Sequence, residues 1–142
     1  YISSDNTGFV VTSNDRIKEA QINKSELKKY QKELSMCKDI ADNGHEVVYL
    51  SETNREPGKT YDVMVDGIPT DLKALDGYGN LVKRVNHALN EQGAELVVLR
   101  LPSHSKEYYD KLTEARRKYE GRIAFYFIDD ITLREMIKRK GR

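Results

Sequence analysis

Residues 61–75 read YDVMVDGIPTDLKAL, and the prediction of the central part of the sheet rests on them. The Asp66-Gly67 pair at its centre is typical of a two-residue hairpin turn, because both central positions of the favoured turn need a positive φ. Residues with a preference for β-strands flank the pair on both sides. The stretch therefore predicts two antiparallel strands, residues 61–65 and 68–75, joined by a tight turn.

The turn also predicts which side chains share a face of the hairpin. Counting outward from it places Asp62 directly opposite Asp71, with their Cβ atoms ~5 Å apart. The alternation of side chains along a strand puts Lys73 on the same face as Asp71. Opposed like charges destabilise a strand pair, so the two aspartates need a neighbouring cation or a raised pKa. We expect a divalent metal ion, Mg²⁺, to supply that charge, with Lys73 stabilising the transition state of phosphodiester cleavage.

The hydrophobic pattern outside the hairpin predicts alternating helices and strands. The predicted strands are residues 8–12, 47–50, 95–101 and 122–128. The predicted helices are residues 25–43, 80–92, 105–119 and 132–140, the first with Ser25 as its N-cap and Gly44 at its end. Strands on short loops are expected to pair antiparallel, and strands separated by helices to pair parallel. The fold class is therefore α/β, with a mixed central β-sheet flanked by helices.

The composition of the chain limits the classes of protein to which it can belong. With 142 residues, 38% of them hydrophobic, it suits a single folded domain, which we expect over residues 25–142 after an N-terminal arm, residues 1–24. No apolar run approaches the ~20 residues of a membrane span, so we expect no membrane contact. The one cysteine, Cys37, excludes an intramolecular disulfide. Because the chain begins with Tyr1 rather than Met, we expect it to be part of a longer protein.

The distribution of positive charge matters more than the net charge, which is only +1. Basic residues occur in the loop before the hairpin and in the helix after it. Positive charge at both places would attract phosphates without regard to base sequence. The candidate nucleic-acid-binding residues are Arg55, Lys59, Lys83, Arg84 and His87.

The order of these residues resembles the D…(D/E)xK pattern of the PD-(D/E)xK nuclease superfamily, with Asp62 as the first acid and Asp71-Leu72-Lys73 as the second part. The predicted order of elements, αβββαβ, matches the restriction-endonuclease-like core of that superfamily. In the family an acidic residue of the first helix often joins the metal site, which implies Glu33 here, with Glu26 as the weaker substitute. Tyr61 replaces the leading proline of the motif, at a position that varies in the family.

A narrower resemblance covers residues 33–101. The segments ELSMCKDIADNGHEVVYLSE, GKTYDVMVDGIPTDLKAL and ELVVLRLP are similar to C-terminal toxin domains of contact-dependent growth inhibition (CdiA-like) proteins and related polymorphic toxins, many of which cleave tRNA. The resemblance implies a domain of a secreted or cell-surface protein that acts in the cytoplasm of a neighbouring bacterium. The partners it implies are tRNA and a cognate immunity protein, and recruitment of elongation factor Tu stays open.

Two alternatives remain at the level of the sequence. A metal-independent ribonuclease of the barnase/EndoU/colicin/RelE-like kind would use Lys73 with a histidine or tyrosine for acid–base chemistry and would leave a 2′,3′-cyclic phosphate. A non-catalytic binding or immunity module would keep the fold without the activity. EDTA separates the first alternative from metal-assisted cleavage, and substitution of Asp62, Asp71 or Lys73 separates the second.

Overall fold

The structure is a computed structural model that describes residues 1–12, 17–18, 23–51 and 57–137. In these ranges the chain forms a seven-stranded mixed sheet and three main helices. The strands are β1 (Phe9–Thr12), β2 (Glu46–Tyr49), β3 (Val63–Val65), β4 (Ile68–Ala74), β5 (Leu96–Leu101), β6 (Arg122–Phe127) and β7 (Asp130–Met136). The helices are α1 (Lys24–Asp42), α2 (Leu81–Asn86), which continues as a π-helical turn (His87–Glu91), and α3 (Lys106–Lys118).

The strands lie in the sheet in the same order as in the sequence. The neighbours β2, β3 and β4 are antiparallel, whereas β4, β5 and β6 are parallel and are joined through α2 and α3. Strand β1 pairs parallel with β2 after the crossover through α1, and β7 pairs antiparallel with β6. The prediction of a mixed sheet flanked by helices is therefore confirmed. The division into an arm, residues 1–24, and a domain, residues 25–142, stays a prediction.

The hairpin at the centre of the chain has the predicted turn and register. Asp66 has φ 50° and Gly67 has φ 79°, as the expected turn requires. The paired residues are Val65 with Ile68, Met64 with Pro69 and Val63 with Thr70. The Asp66 carboxylate accepts the backbone N–H of Glu46 at 2.8 Å, which helps to hold a non-glycine residue at positive φ.

Helix α1 packs its apolar stripe on one face of the sheet. Met36, Cys37 and Ile40 are almost fully buried there. The N-cap lies two residues earlier than predicted, because Asn23 rather than Ser25 accepts the Glu26 N–H, at 2.8 Å. It ends as predicted before Gly44, which has φ 88°.

The sheet curls so that its last strand lies beside the C-terminal end of α1. The Asn43 side chain donates to Ile131 O at 2.7 Å and accepts the Leu133 N–H at 2.9 Å, so it occupies the open edge of β7. The Tyr126 hydroxyl of β6 donates to Asp39 of α1 at 2.8 Å. Helices α2 and α3 cover the opposite face of the sheet with a second apolar cluster.

The predicted helix over residues 132–140 is wrong for the part that the structure describes. Residues 130–136 form β7, with Arg134 paired to Phe125 and Glu135 to Ala124 of β6. The tight turn after β6 brings the segment back along a strand that has an unpaired edge, and backbone pairing there outweighs a weak helical preference. None of the helices in the described parts of the chain has the length and apolar character that a bilayer crossing requires.

Candidate active site

Five charged side chains among the described residues are almost completely buried, and four of them, all except Arg116 of α3, lie close together. Asp71 is 0% exposed, and Glu33, Asp62 and Lys73 are each 8% exposed. Lys73 and Asp71 belong to β4, Asp62 lies one residue before β3, and Glu33 belongs to α1. Charged groups are rarely buried to this extent unless they are paired or hold a ligand. This acid–lysine cluster is therefore the candidate site.

Asp62 lies beside Asp71, although the regular strand ladder ends one pair earlier, at Val63 and Thr70. The Asp62 N–H donates to Thr70 O at 3.1 Å, and its carboxylate accepts the Leu72 N–H at 3.0 Å. These bonds hold Asp62 against the backbone on both sides of Asp71. The side chains thus converge as the hairpin predicted, through a side-chain contact with β4 rather than through a fourth strand pair.

Lys73 contacts two groups of the site. Its Nζ lies 2.9 Å from Asp71 Oδ2, which is an ion-pair distance, and donates to Gln92 Oε1 at 2.7 Å. The geometry toward Asp71 is not that of a hydrogen bond, and neither carboxylate oxygen of Asp71 has a hydrogen-bond partner. The burial of this carboxylate is therefore compensated mainly by the Lys73 charge, and perturbed buried groups of this kind are candidates for functional residues.

Two of the buried acids have pKa values near neutral pH. Burial raises the pKa of Asp71 to about 8, and the Asp62 charge adds to this effect. Burial likewise raises the pKa of Glu33 to about 7, with a further contribution from Asp62, while the hydrogen bond from the Tyr49 hydroxyl, 2.7 Å, opposes it. Both carboxyls therefore change protonation within the physiological range.

Glu33, Asp62 and Lys73 of the cluster line a cleft of about 290 Å³ with basic walls, whereas Asp71 is fully buried and does not line it. Lys29 and Lys32 of α1 line it on one side, and Arg84 and His87 line it on the other. An adjoining cleft of about 510 Å³ shares Lys73, Arg84 and His87 and continues to Lys83. The two clefts together form a continuous basic groove over the acids.

The candidate nucleic-acid-binding residues occupy different positions around this groove. Arg84 and His87 line both clefts, Lys83 lines the larger one, and His87 is in close contact with Glu91. Lys59 is exposed, and its side chain lies directly against Gly93. A Cβ at residue 93 would be only 2.3 Å from Lys59 Cδ, so a larger residue there would displace the lysine. The predicted residue Arg55 lies outside the described residues.

Three cleft residues, Lys29, Lys32 and Gln92, were not among the predicted site residues. The two lysines could have been found, because positions three and four residues apart share a helix face and Lys29 lies four residues before Glu33. For Gln92 the sequence contains no comparable spacing pattern. Its side chain bonds to Lys73 from the end of a π-helical turn, which regular helical spacing does not predict. Such turns in other proteins occur frequently at functional sites.

The carboxylates fit a hard divalent cation in their chemistry, because such ions bind oxygen ligands and Asp71 offers two buried oxygens without hydrogen bonds. Asp62 and Glu33, next to each other in the cluster, would complete the set. Across the described ranges, however, no group of three or more His, Cys, Asp or Glu side chains is already arranged as a set of metal ligands. Cation binding would therefore require these carboxylates to rearrange.

The fold and the site together define a mixed α/β protein with a buried acid–lysine cluster beneath a basic groove. No protein-family model matches the sequence, and no curated protein does. A solved structure, described as the CdiA-CT/CdiI toxin and immunity complex from Burkholderia pseudomallei, contains a chain that is similar in fold. The similarity covers 83% of this chain and 91% of that chain, with a TM-score of 0.63 and 14% sequence identity.

Proposed function

We propose that this chain is the nuclease domain of an antibacterial toxin that cleaves RNA, and tRNA in particular, by a metal-assisted mechanism. The observation that carries the proposal is the cluster itself: the fully buried Asp71 is ion-paired with Lys73, and Lys73, Asp62 and Glu33 line a cleft with basic walls. Perturbed buried acids beside a cation in a cleft are typical of catalytic sites. A groove with basic walls suits an anionic polymer such as RNA.

The fold supports the proposal in two ways. The order of α1, β2, β3, β4, α2 and β5 is compatible with the αβββαβ order of PD-(D/E)xK nucleases, and Asp71 and Lys73 belong to β4 with Asp62 just before β3. The similar chain belongs to a toxin and immunity complex, which supports delivery into a target cell and a cognate immunity protein as partner. Recruitment of elongation factor Tu stays an expectation from the sequence.

Each residue of the cluster has a distinct role in the proposed reaction. The carboxylates of Asp71, Asp62 and Glu33 would hold a divalent cation, which when bound supplies Lewis-acid catalysis and a more acidic water molecule. The Lys73 ammonium would stabilise the charge that develops on the phosphoryl oxygens. Arg84 and His87 would hold the phosphates beside the scissile bond, and the depth of the site would limit access of bulk water.

The test is incubation of the purified protein with total bacterial RNA and with plasmid DNA, each with Mg²⁺ or with EDTA. We expect cleavage of RNA only with the metal, and no cleavage by Asp71→Asn, which keeps the shape of the side chain. Asp39→Asn is the matched control, because Asp39 is a half-buried acid of α1 that bonds to Tyr126 instead of facing the cleft. Intact RNA under all conditions, or full activity of Asp71→Asn, would contradict the proposal.

The pKa of Glu33, about 7, also favours a second candidate, a metal-independent ribonuclease. A group with that pKa exchanges protons efficiently at neutral pH, and Lys73 would stabilise the phosphorane. This candidate predicts cleavage that persists in EDTA and products that end in a 2′,3′-cyclic phosphate. Metal-assisted hydrolysis predicts neither result.

A third candidate is an immunity or other binding module, since the similar chain comes from a complex that contains both a toxin and an immunity protein. Expression in bacteria distinguishes it from the nuclease. Growth arrest by the wild-type protein, absent with Asp71→Asn, would exclude the binding module. Harmless expression of both would favour it.

A further inference from the structure

Two exposed lysines on α1, Lys29 and Lys32, lie on the wall of the cleft opposite the proposed nucleic-acid-binding helix α2. Lys29 is close enough to Glu33 for its charge to lower the pKa of that carboxyl. Elsewhere in the described ranges, exposed lysines with close acidic partners lie on α3, where Lys106 pairs with Asp110 at 2.7 Å. Among the described residues, Lys32 has no acidic partner of this kind, and Lys29 acts on Glu33 through its charge without a direct ion pair.

The two basic walls come from opposite faces of the sheet. Helix α1 packs on the face that carries Leu72, and α2 packs on the face that carries Leu75. Both helices nevertheless contribute to one cleft, because Lys73 lies at the end of β4 where the sheet opens between them. A phosphate chain that reached the floor would therefore have cations on both sides.

We infer that Lys29 and Lys32 are a second phosphate-binding wall, and that the cleft takes a single RNA strand that crosses from α1 to α2. The inference rests on the proposed function and adds that the RNA is single-stranded where it binds. The two lysines bind the phosphates on one side of the scissile bond, and Lys83 and Arg84 bind those on the other side.

The burial of the acids favours a single strand over a duplex. A phosphate reaches Asp62 by entering the cleft, because this side chain lines the cleft and is more than nine-tenths buried. An A-form duplex presents its phosphates along a wide, rigid surface, whereas an unpaired segment can bend its backbone between two walls. Unpaired loops of a folded RNA, such as tRNA, satisfy this requirement.

The experiment measures binding separately from cleavage. The full chain carrying Asp71→Asn is titrated, without added metal, into a short fluorescent single-stranded RNA and into the duplex of the same sequence over a range of salt concentrations. Adding Lys29→Gln and Lys32→Gln should weaken single-strand binding about 20-fold at about 0.1 M salt and reduce the slope of log K against log salt by about 1.4, the value for two lost phosphate contacts. The duplex should bind more weakly and should be less sensitive to the lysines.

The matched control removes the same charge from another surface. Lys111→Gln with Lys118→Gln changes two lysines of α3 that pair with Glu114, and should alter binding less than about twofold. An unchanged salt slope in the α1 double variant, or equal affinity for the duplex, would overturn the inference. So would equal binding of polyglutamate, which would mean that the cleft prefers any acidic polymer, including an acidic protein partner.

The outcomes also separate the inference from the proposed function. If the wild-type protein cleaves RNA while the α1 lysines leave binding unchanged, only the inference fails. If the wild-type protein does not cleave RNA and no variant binds it, the proposed function fails, and the inference fails with it.

Discussion

Lys73 Nζ donates to Gln92 Oε1 over 2.7 Å, and this bond connects β4 with the end of the π-helical turn that follows α2. The same Gln92 side chain donates to Thr60 O at 3.3 Å, and its backbone carbonyl accepts the Thr60 N–H at 3.0 Å. Thr60 lies two residues before Asp62. Gln92 therefore fixes the lysine and the segment that carries the first aspartate relative to each other.

Gln92 is expected to act as a positioning residue. Gln92→Met keeps the length of the side chain but removes the acceptor for Lys73, so we expect kcat to fall about 10- to 100-fold, with KM changed less than about twofold. Steady-state kinetics with an RNA substrate measures kcat and KM separately. Gln92→Glu, which keeps an acceptor, should recover most of kcat.

The control for this prediction is Asn90→Leu. Asn90 belongs to the same π-helical turn but bonds to Asn86 on the exposed side, at 2.6 Å. The Asn90→Leu variant should therefore have the kcat of the wild-type protein. A loss of melting temperature that matches the loss of activity in Gln92→Met, or an equal effect of Asn90→Leu, would mean that Gln92 only supports the local fold.

The sequence predicts the parts of this site that depend on local geometry. The Asp66-Gly67 turn sets the register of β3 and β4, and that register brings Asp62 toward Asp71 and Lys73. Residues at helical spacing likewise predict the buried face of α1, including Glu33 at its edge.

The parts that depend on distant contacts could not be predicted in this way. Residues 130–136 form a strand because β6 offers an unpaired edge. The outer edge of β7 is then covered by Asn43, the residue that follows α1. Gln92 enters the cleft because a π-helical turn changes its direction, and no spacing rule in the sequence encodes that change. Tertiary context decides both positions, so local patterns fail there.

The buried Asp71 should make the protein less stable as the pH rises. Its pKa in the folded state, about 8, lies above the ordinary aspartate value of 3.8, so its contribution to stability is full below about pH 4 and is lost as the pH rises toward 8. We expect the free energy of unfolding without metal to fall between about pH 5 and 7 with a slope of up to about 1.4 kcal/mol per pH unit for this carboxyl. Urea denaturation at several pH values measures the slope.

Asp71→Asn should flatten that slope and raise the stability near pH 7, because the amide carries no charge to bury. Asp130→Asn is the control, since Asp130 is a partly exposed acid of β7 whose pKa is lowered by its contacts with Thr132. Identical pH profiles of the wild-type protein and Asp71→Asn would contradict the raised pKa.

The turn of the hairpin should be sensitive to a β-branched residue. Gly67 has φ 79°, which side chains with a branched Cβ adopt only with strain, so Gly67→Val should lower the free energy of unfolding by about 1–3 kcal/mol. Gly77→Val is a matched control, because an added Cβ meets nothing within 4 Å at either glycine and only Gly67 has the positive φ. Equal losses in urea denaturation would show that the backbone angle is not the cause.

Divalent metal should stabilise the folded protein through the acid cluster. A ligand that binds only the folded state adds about 2.7 kcal/mol at a concentration about 100 times its Kd, which corresponds to a rise in melting temperature of roughly 5–10 °C for a chain of this size. The rise should grow between about pH 6 and 8, because the carboxyls of Glu33 and Asp71, with pKa values of about 7 and 8, must lose their protons to bind the metal. Asp71→Asn should abolish the rise, whereas Asp39→Asn should keep it. An equal rise in both variants would place the metal elsewhere on the protein, and no rise in the wild-type protein would favour the metal-independent ribonuclease.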